Sequence, residues 1–195
     1  MLCLTACSRT GKMFLLKGSD EQYMPGGGWQ KSWVRVLTTL LTLAIMIIIF
    51  CFSTQNADRS DRTSGYFSMK IIRLLWSDYD SRSAEEQKDI YDNVQHVIRK
   101  CAHFWEYTML GFMIRLCLES WFGAEVKRRK ALLLIAFAIG VVYAASDEIH
   151  QLLIDGRSGQ WTDVLLDSCG VMTGVLLGIA LIWTTYRRKE EEVKN

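Results

Sequence analysis

The chain has 195 residues, half of them hydrophobic, and a net charge of +2. That balance is too small to suggest a nucleic-acid partner, and the basic residues sit in short blocks at the ends of apolar segments rather than along one face. Composition alone leaves a soluble domain or a membrane bundle open, but charge is absent from Val36 to Asn56, from Ala131 to Ser146 and from Ser168 to Tyr186. Runs of that length point to the bilayer.

Residues 1–32 read as a disordered tail, although the internal Met13 and Met24 fit a start assigned too early just as well. Leu4-Thr5-Ala6-Cys7 resembles a lipoprotein cleavage box, yet no charged and apolar stretch precedes it, so lipidation is not expected. Of the six cysteines, Cys51, Cys101, Cys117 and Cys169 lie in or beside apolar segments, where a thiol behaves as a small hydrophobe, and no disulfide is expected.

The expected fold is all-α: a polytopic bundle over residues 33–186 with four transmembrane helices and a helical, extracytoplasmic first loop. The first span runs from Trp33 to about Phe52. The polar connection that follows, Ser53 to Arg99, is long enough to hold structure of its own. In it, Tyr66, Phe67, Ile71, Leu74 and Leu75 recur at helical spacing, which suits a helix lying on the membrane surface and equally one packing on the bundle.

From Glu85 the residues Ile90, Val94, Val97 and Cys101 keep the helical period and run into the second span, Ala102 to Trp121, so one helix is expected to begin in water and continue into lipid. This span carries His103, Glu106, Arg115 and Glu119, each costly against lipid. Arg115 and Glu119 are expected to pair and to snorkel toward the far interface. The third span is Ala131 to about Ala145 and the fourth about Val164 to Tyr186, followed by a charged tail, 187–195.

Short basic blocks, Lys127-Arg128-Arg129-Lys130 and Arg187-Arg188-Lys189, together with Lys31 and Arg35, assign both termini to the cytoplasm. The long connection and the loop Asp155 to Thr162 then lie outside. This topology brings His103 and Glu106 of span two, Ser146, Asp147, Glu148, His150 and Gln151 at the end of span three, and Asp163 and Asp167 at the start of span four to one depth. The spacings place each set on one helical face, and the face of span four continues as Gly170, Gly174 and Gly178, a small-residue stripe for close helix packing. Arg157 in the adjoining loop makes the cluster mixed in charge.

Ionisable residues inside a membrane suggest function, because their desolvation must be offset by partners, but an ion-paired structural network of Arg157 with Asp147 or Asp163 would also account for them. His103, Glu106, Asp147 and His150 offer two nitrogens and two oxygens to a divalent metal. No consecutive ligand motif supports such an ion, so no cofactor is predicted. Ser146, Ser158 and Ser168 lack the setting of a nucleophile elbow.

The blocks Arg99-Lys100-Cys101-Ala102-His103-Phe104-Trp105-Glu106-Tyr107 with Leu110-Gly111, then Ser146-Asp147-Glu148-Ile149-His150-Gln151, then Gly156-Arg157-Ser158-Gly159 and Asp163 ahead of Gly170, resemble the VanZ-like family in order and spacing. The resemblance covers roughly Val34 to Trp183. Asp167 departs from it, since members often carry Asn there. The family's namesake is an accessory membrane protein linked with reduced susceptibility to teicoplanin-type glycopeptides, so the resemblance implies a multi-pass protein of the bacterial plasma membrane with an envelope role, glycopeptide resistance among the candidates.

Three readings follow. In the first, an outer-leaflet polar pocket binds a membrane lipid, a lipid-linked cell-wall precursor or a lipoglycopeptide, with Arg157 meeting a phosphate or carboxylate and His103, Glu106, Asp147, His150 and Gln151 completing the shell. In the second, a membrane-embedded hydrolase or transferase acts on a lipid-linked substrate with Glu106, Asp147 or Glu148 as general base, assisted by His150 or a metal. In the third, the chain is a structural partner of another membrane protein. The sequence does not fix an oligomeric state.

Overall fold

The computed structural model describes residues 28–54, 57–123, 129–153 and 160–194. The N-terminal tail up to residue 27, Lys127 and Arg128 of the first basic block, and Arg157 lie outside the described residues. Five helices and two short 3-10 turns make up the described fold, and no strand occurs among these residues. They are α1 (Ser32–Ser53), α2 (Ala57–Leu75), α3 (Ala84–Phe122), α4 (Arg129–Gln151) and α5 (Trp161–Lys194).

Three of these helices are long and apolar enough to cross a membrane: α1, α4 and α5 over Trp161–Lys189. At 22 residues α1 is about 33 Å long, close to the roughly 30 Å of a hydrocarbon core. Val36, Leu40, Leu43, Ile47 and Phe50 all point away from the protein, as side chains facing lipid do. The ends of α4 and α5 fall outside the expected spans, because Ser146 to Gln151 prolongs α4 and Arg187 to Lys194 prolongs α5 as unbroken helix.

The second expected span does not stand as a fourth apolar helix: α3 is not among the helices that qualify by composition. His103, Glu106, Arg115 and Glu119 interrupt its apolar character. The expected continuity is present, however, since α3 is one helix of 39 residues, about 58 Å long. Its start is fixed by a reciprocal cap. The Ser83 hydroxyl accepts from the Glu86 amide at 3.3 Å while the Ser83 amide donates to Glu86 Oε2 at 3.1 Å. The Ser83 hydroxyl also donates to Glu86 Oε2 at 2.9 Å, and that bond, with the one from the Ser83 amide, holds the Glu86 carboxyl below its ordinary value.

Helix α3 is the centre of the bundle and makes its most extensive contact with α5, then with α1 and α4. The α3 and α5 backbones meet along glycines. A Cβ on Gly170 would stand 2.6 Å from the Phe104 carbonyl oxygen, and one on Gly174 would run into the Thr108 carbonyl. On α3, Gly111 sits in the same way against the backbone of Val171. Tyr107, Leu110, Ile114, Ala136, Ala144, Val171 and Val175 form the main core around this seam, with Ile49 of α1. The Tyr143 hydroxyl ties α4 to α1 by donating to the Met46 carbonyl at 2.6 Å.

Arg115 and Glu119 pair as expected, Nη2 to Oε2 at 2.9 Å, but they do not snorkel. Both are buried, 1% and 0% exposed, because the opposing face of α5 brings Tyr186, whose hydroxyl donates to Glu119 Oε1 at 3.1 Å. The Arg129 guanidinium covers the Tyr186 ring at 4.7 Å, and Arg35 Nε donates to the Ser120 carbonyl at 3.0 Å. One polar cluster thus closes one end of the bundle.

Helix α2 is a helix as expected and packs on α3, through residues other than most of its apolar stripe. Ser68 and Ile72 are fully buried and α2 packs on α3, while Tyr66, Phe67, Leu74 and Leu75 remain exposed on the other side.

Candidate functional site

At the opposite end of the bundle, α3, α4 and α5 part around a cavity of about 160 Å³. Each helix contributes one face. From α3 come His96, Arg99, Lys100 and His103, spaced i, i+3, i+4, i+7, the stripe that one side of a helix presents. From the last turn of α4 come Glu148 and Gln151, and from the start of α5 come Asp163, Leu166 and Asp167, with Gln160 just before it.

Two contacts close the rim. Lys100 Nζ is ion-paired with Asp163 Oδ1, joining α3 to α5. The Gln160 amide donates to Glu148 Oε2 at 3.2 Å, tying the entrance of α5 to the end of α4. Asp163 lies in the first turn of α5, where a carboxylate suits the positive end of the helix dipole.

The acidic side goes deep. Asp167 is 1% exposed and lines the cavity, yet neither of its carboxyl oxygens accepts a hydrogen bond from any described residue. Glu148, Asp147, Asp163 and Glu106 all lie within electrostatic reach of it. Asp147 is buried behind the cavity beside the Tyr107 hydroxyl and accepts a hydrogen bond from Gln151 Nε2 at 3.2 Å.

Of the residues singled out in the sequence, His103, Glu148, Gln151 and Asp163 therefore face the cavity, with Glu106 and Asp147 in the surrounding wall. His150 points elsewhere: its ring stacks on Phe50 of α1, centroids 4.8 Å apart. Arg157 is outside the described residues. Asp167, read with Asp163 on one face of span four, faces the cavity too, whereas His96, Arg99, Lys100, Gln160 and Leu166 were not singled out for the site, although the helical stripe from His96 to His103 was there to be read.

A 146-residue stretch of the chain, residues 38–183, matches the model of the VanZ/LLP1 family. The chain belongs to the VanZ/LLP1 family. Its three apolar helices fit a multi-pass membrane protein of the cell envelope. No curated protein and no solved structure matches the chain. All three cavity-forming segments lie inside the matched region, so the site belongs to the VanZ/LLP1 domain itself.

Chemically, the cavity offers hydrogen-bond donors and acceptors of both charges to one small polar group. Among the described residues no three His, Cys, Asp or Glu side chains gather closely enough to hold a metal ion, and the turn of His150 toward Phe50 removes one of the four ligands considered. The Ser146 and Ser168 hydroxyls donate back into their own helices, to Tyr143 and Val164 carbonyls at 2.7 and 2.6 Å.

Proposed function

We propose that this VanZ/LLP1 chain crosses the bacterial plasma membrane four times and binds the polar headgroup of an amphiphile in the cavity between α3, α4 and α5. The amphiphile is a membrane lipid, a lipid-linked cell-wall precursor or a lipoglycopeptide. The observation that carries this reading is the position of the cavity: it opens where α4 ends and α5 begins, the level at which two membrane-crossing helices reach the interface. A headgroup can enter there while its acyl chains stay in the bilayer.

The fourth crossing is α3. It lies along α5 from Phe104 to Arg115 through the glycine seam, and a helix packed against a crossing segment over that length crosses with it. Its charged residues are then sheltered by neighbours, as Arg115 and Glu119 are by Tyr186. Lys31, Arg35, Arg129, Lys130 and Arg187 to Lys189 mark the cytoplasmic end, so both termini are cytoplasmic and the cavity belongs to the outer leaflet. Resistance to glycopeptides of the teicoplanin type is one consequence such binding would have for the envelope.

The test fills the cavity. Leu166 lines it, and Leu166→Trp puts an indole into the space a headgroup needs. Native mass spectrometry of the full chain in detergent, with added short-chain phospholipid, should show at least tenfold weaker lipid binding for the variant at unchanged melting temperature. Equal binding by both proteins would contradict the proposal.

A further inference from the structure

The charges of the cavity are sorted by depth. His96 is exposed and Lys100 partly so, both on the α3 side of the mouth, whereas Asp167, one turn further into α5, is buried, as is Glu148 on the α4 side. A carboxylate removed from water is costly unless a donor or a cation meets it. Asp167 has no such partner among the described residues, with two unbonded oxygens directed at the cavity and other acids around it. Lys100, on the facing side of α3, is taken by Asp163 one turn earlier on α5.

An anionic headgroup alone would leave Asp167 unanswered. A metal ion would need ligands gathered more closely than the described residues bring them. A primary ammonium fits: it carries three donors and a positive charge, and it is small enough to share the cavity with a second group. The basic stripe of α3 at the mouth suits that second group if it is a phosphate. The two levels, Asp163 with Lys100 and then Asp167, are four residues apart, about 6 Å along the axis, a distance that a phosphate on a two-carbon amine spans from its far oxygen to its nitrogen.

We propose that the cavity takes a zwitterionic headgroup, a phosphate ester bearing a primary amine, with the ammonium on Asp167 and the phosphate at the α3 stripe. This rests on the headgroup reading above and gives it a chemical class. The same chemistry is found in ethanolamine phospholipids and in free phosphoethanolamine.

The experiment compares full-length chain in detergent with short-chain phosphatidylethanolamine, phosphatidylglycerol and phosphatidylcholine, in wild type and Asp167→Asn. The ethanolamine lipid should bind at least tenfold more tightly than the glycerol lipid, and more tightly than the choline lipid, whose nitrogen has no N–H. Asp167→Asn should erase both preferences while its melting temperature shows that it folds. Equal binding of all three lipids, still blocked by Leu166→Trp, would overturn the amine assignment and leave the headgroup reading standing. Binding insensitive to Leu166→Trp would overturn both. A preference that survives Asp167→Asn would overturn the role of Asp167. Competition by free O-phosphoethanolamine at equal concentration would support the chemistry with a soluble source, and competition only at large excess would support it with a lipid source.

Discussion

Lys100 of α3 and Asp163 of α5, 63 positions apart in the chain, meet as an ion pair across the mouth of the cavity. Each side chain keeps 30% of its exposure, so solvent screens the pair and its contribution to stability is about 1 kcal/mol or less. Lys100→Ala should therefore lower the melting temperature little while weakening phospholipid binding severalfold. Thermal melts and native mass spectrometry on the same preparation separate the two effects; a large loss of stability with intact binding would make the pair a structural clamp only.

The seam between α3 and α5 leaves no room for a side chain at Gly174, whose Cβ would meet the Thr108 carbonyl. Gly174→Ala forces the two backbones apart, and overpacking of this kind costs about 1–3 kcal/mol. Leu177→Ala, three residues on and facing outward, is the control and should change little. A melting temperature unaffected by Gly174→Ala would mean that the helices are not in contact there.

Arg115 and Glu119 form the buried pair at the other end, completed by Tyr186. Removing one partner strands a charge, so Glu119→Ala should destabilise the chain by about 3–5 kcal/mol. Replacing both with apolar residues should recover part of that loss, because no charge is then left unpaired. Chemical denaturation of the single and double variants gives the coupling directly, and strictly additive losses would rule out the pair as a unit.

Much of this architecture was legible because helical spacing carries it. Gly170, Gly174 and Gly178 repeat every four residues, and Asp163 and Asp167 share that face, so the packing surface and the acids at its outer end could be read together. The direction of His150 could not. Residues three apart on a helix differ by about 60° in heading, enough for Asp147 to face inward while His150 turns to Phe50. The burial of Arg115 and Glu119 depends on Tyr186, remote in sequence, and their position near the end of a span suggested snorkelling instead. Arg99 and Lys100, though part of the first motif, were not assigned to the site, and His96 was passed over, for a similar reason: they belong to the part of α3 that precedes its apolar stretch, where charge is ordinary.

The two histidines of the sequence motifs should now behave differently. His103 lines the cavity and His150 stacks on α1, so His103→Ala should weaken lipid binding severalfold and His150→Ala should leave it unchanged. Loss of lipid binding in the His150 variant alone would place the ligand on the α1 side of α4 instead.

Photoaffinity labelling addresses the site most directly. A short-chain phospholipid carrying a diazirine in its headgroup, irradiated with the full chain in nanodiscs and mapped by peptide mass spectrometry, should mark three separate segments: His96 to His103, Glu148 to Gln151, and Gln160 to Asp167. Label confined to the lipid-facing residues of α1, or spread evenly over the apolar helices, would contradict a headgroup site at the junction of α3, α4 and α5.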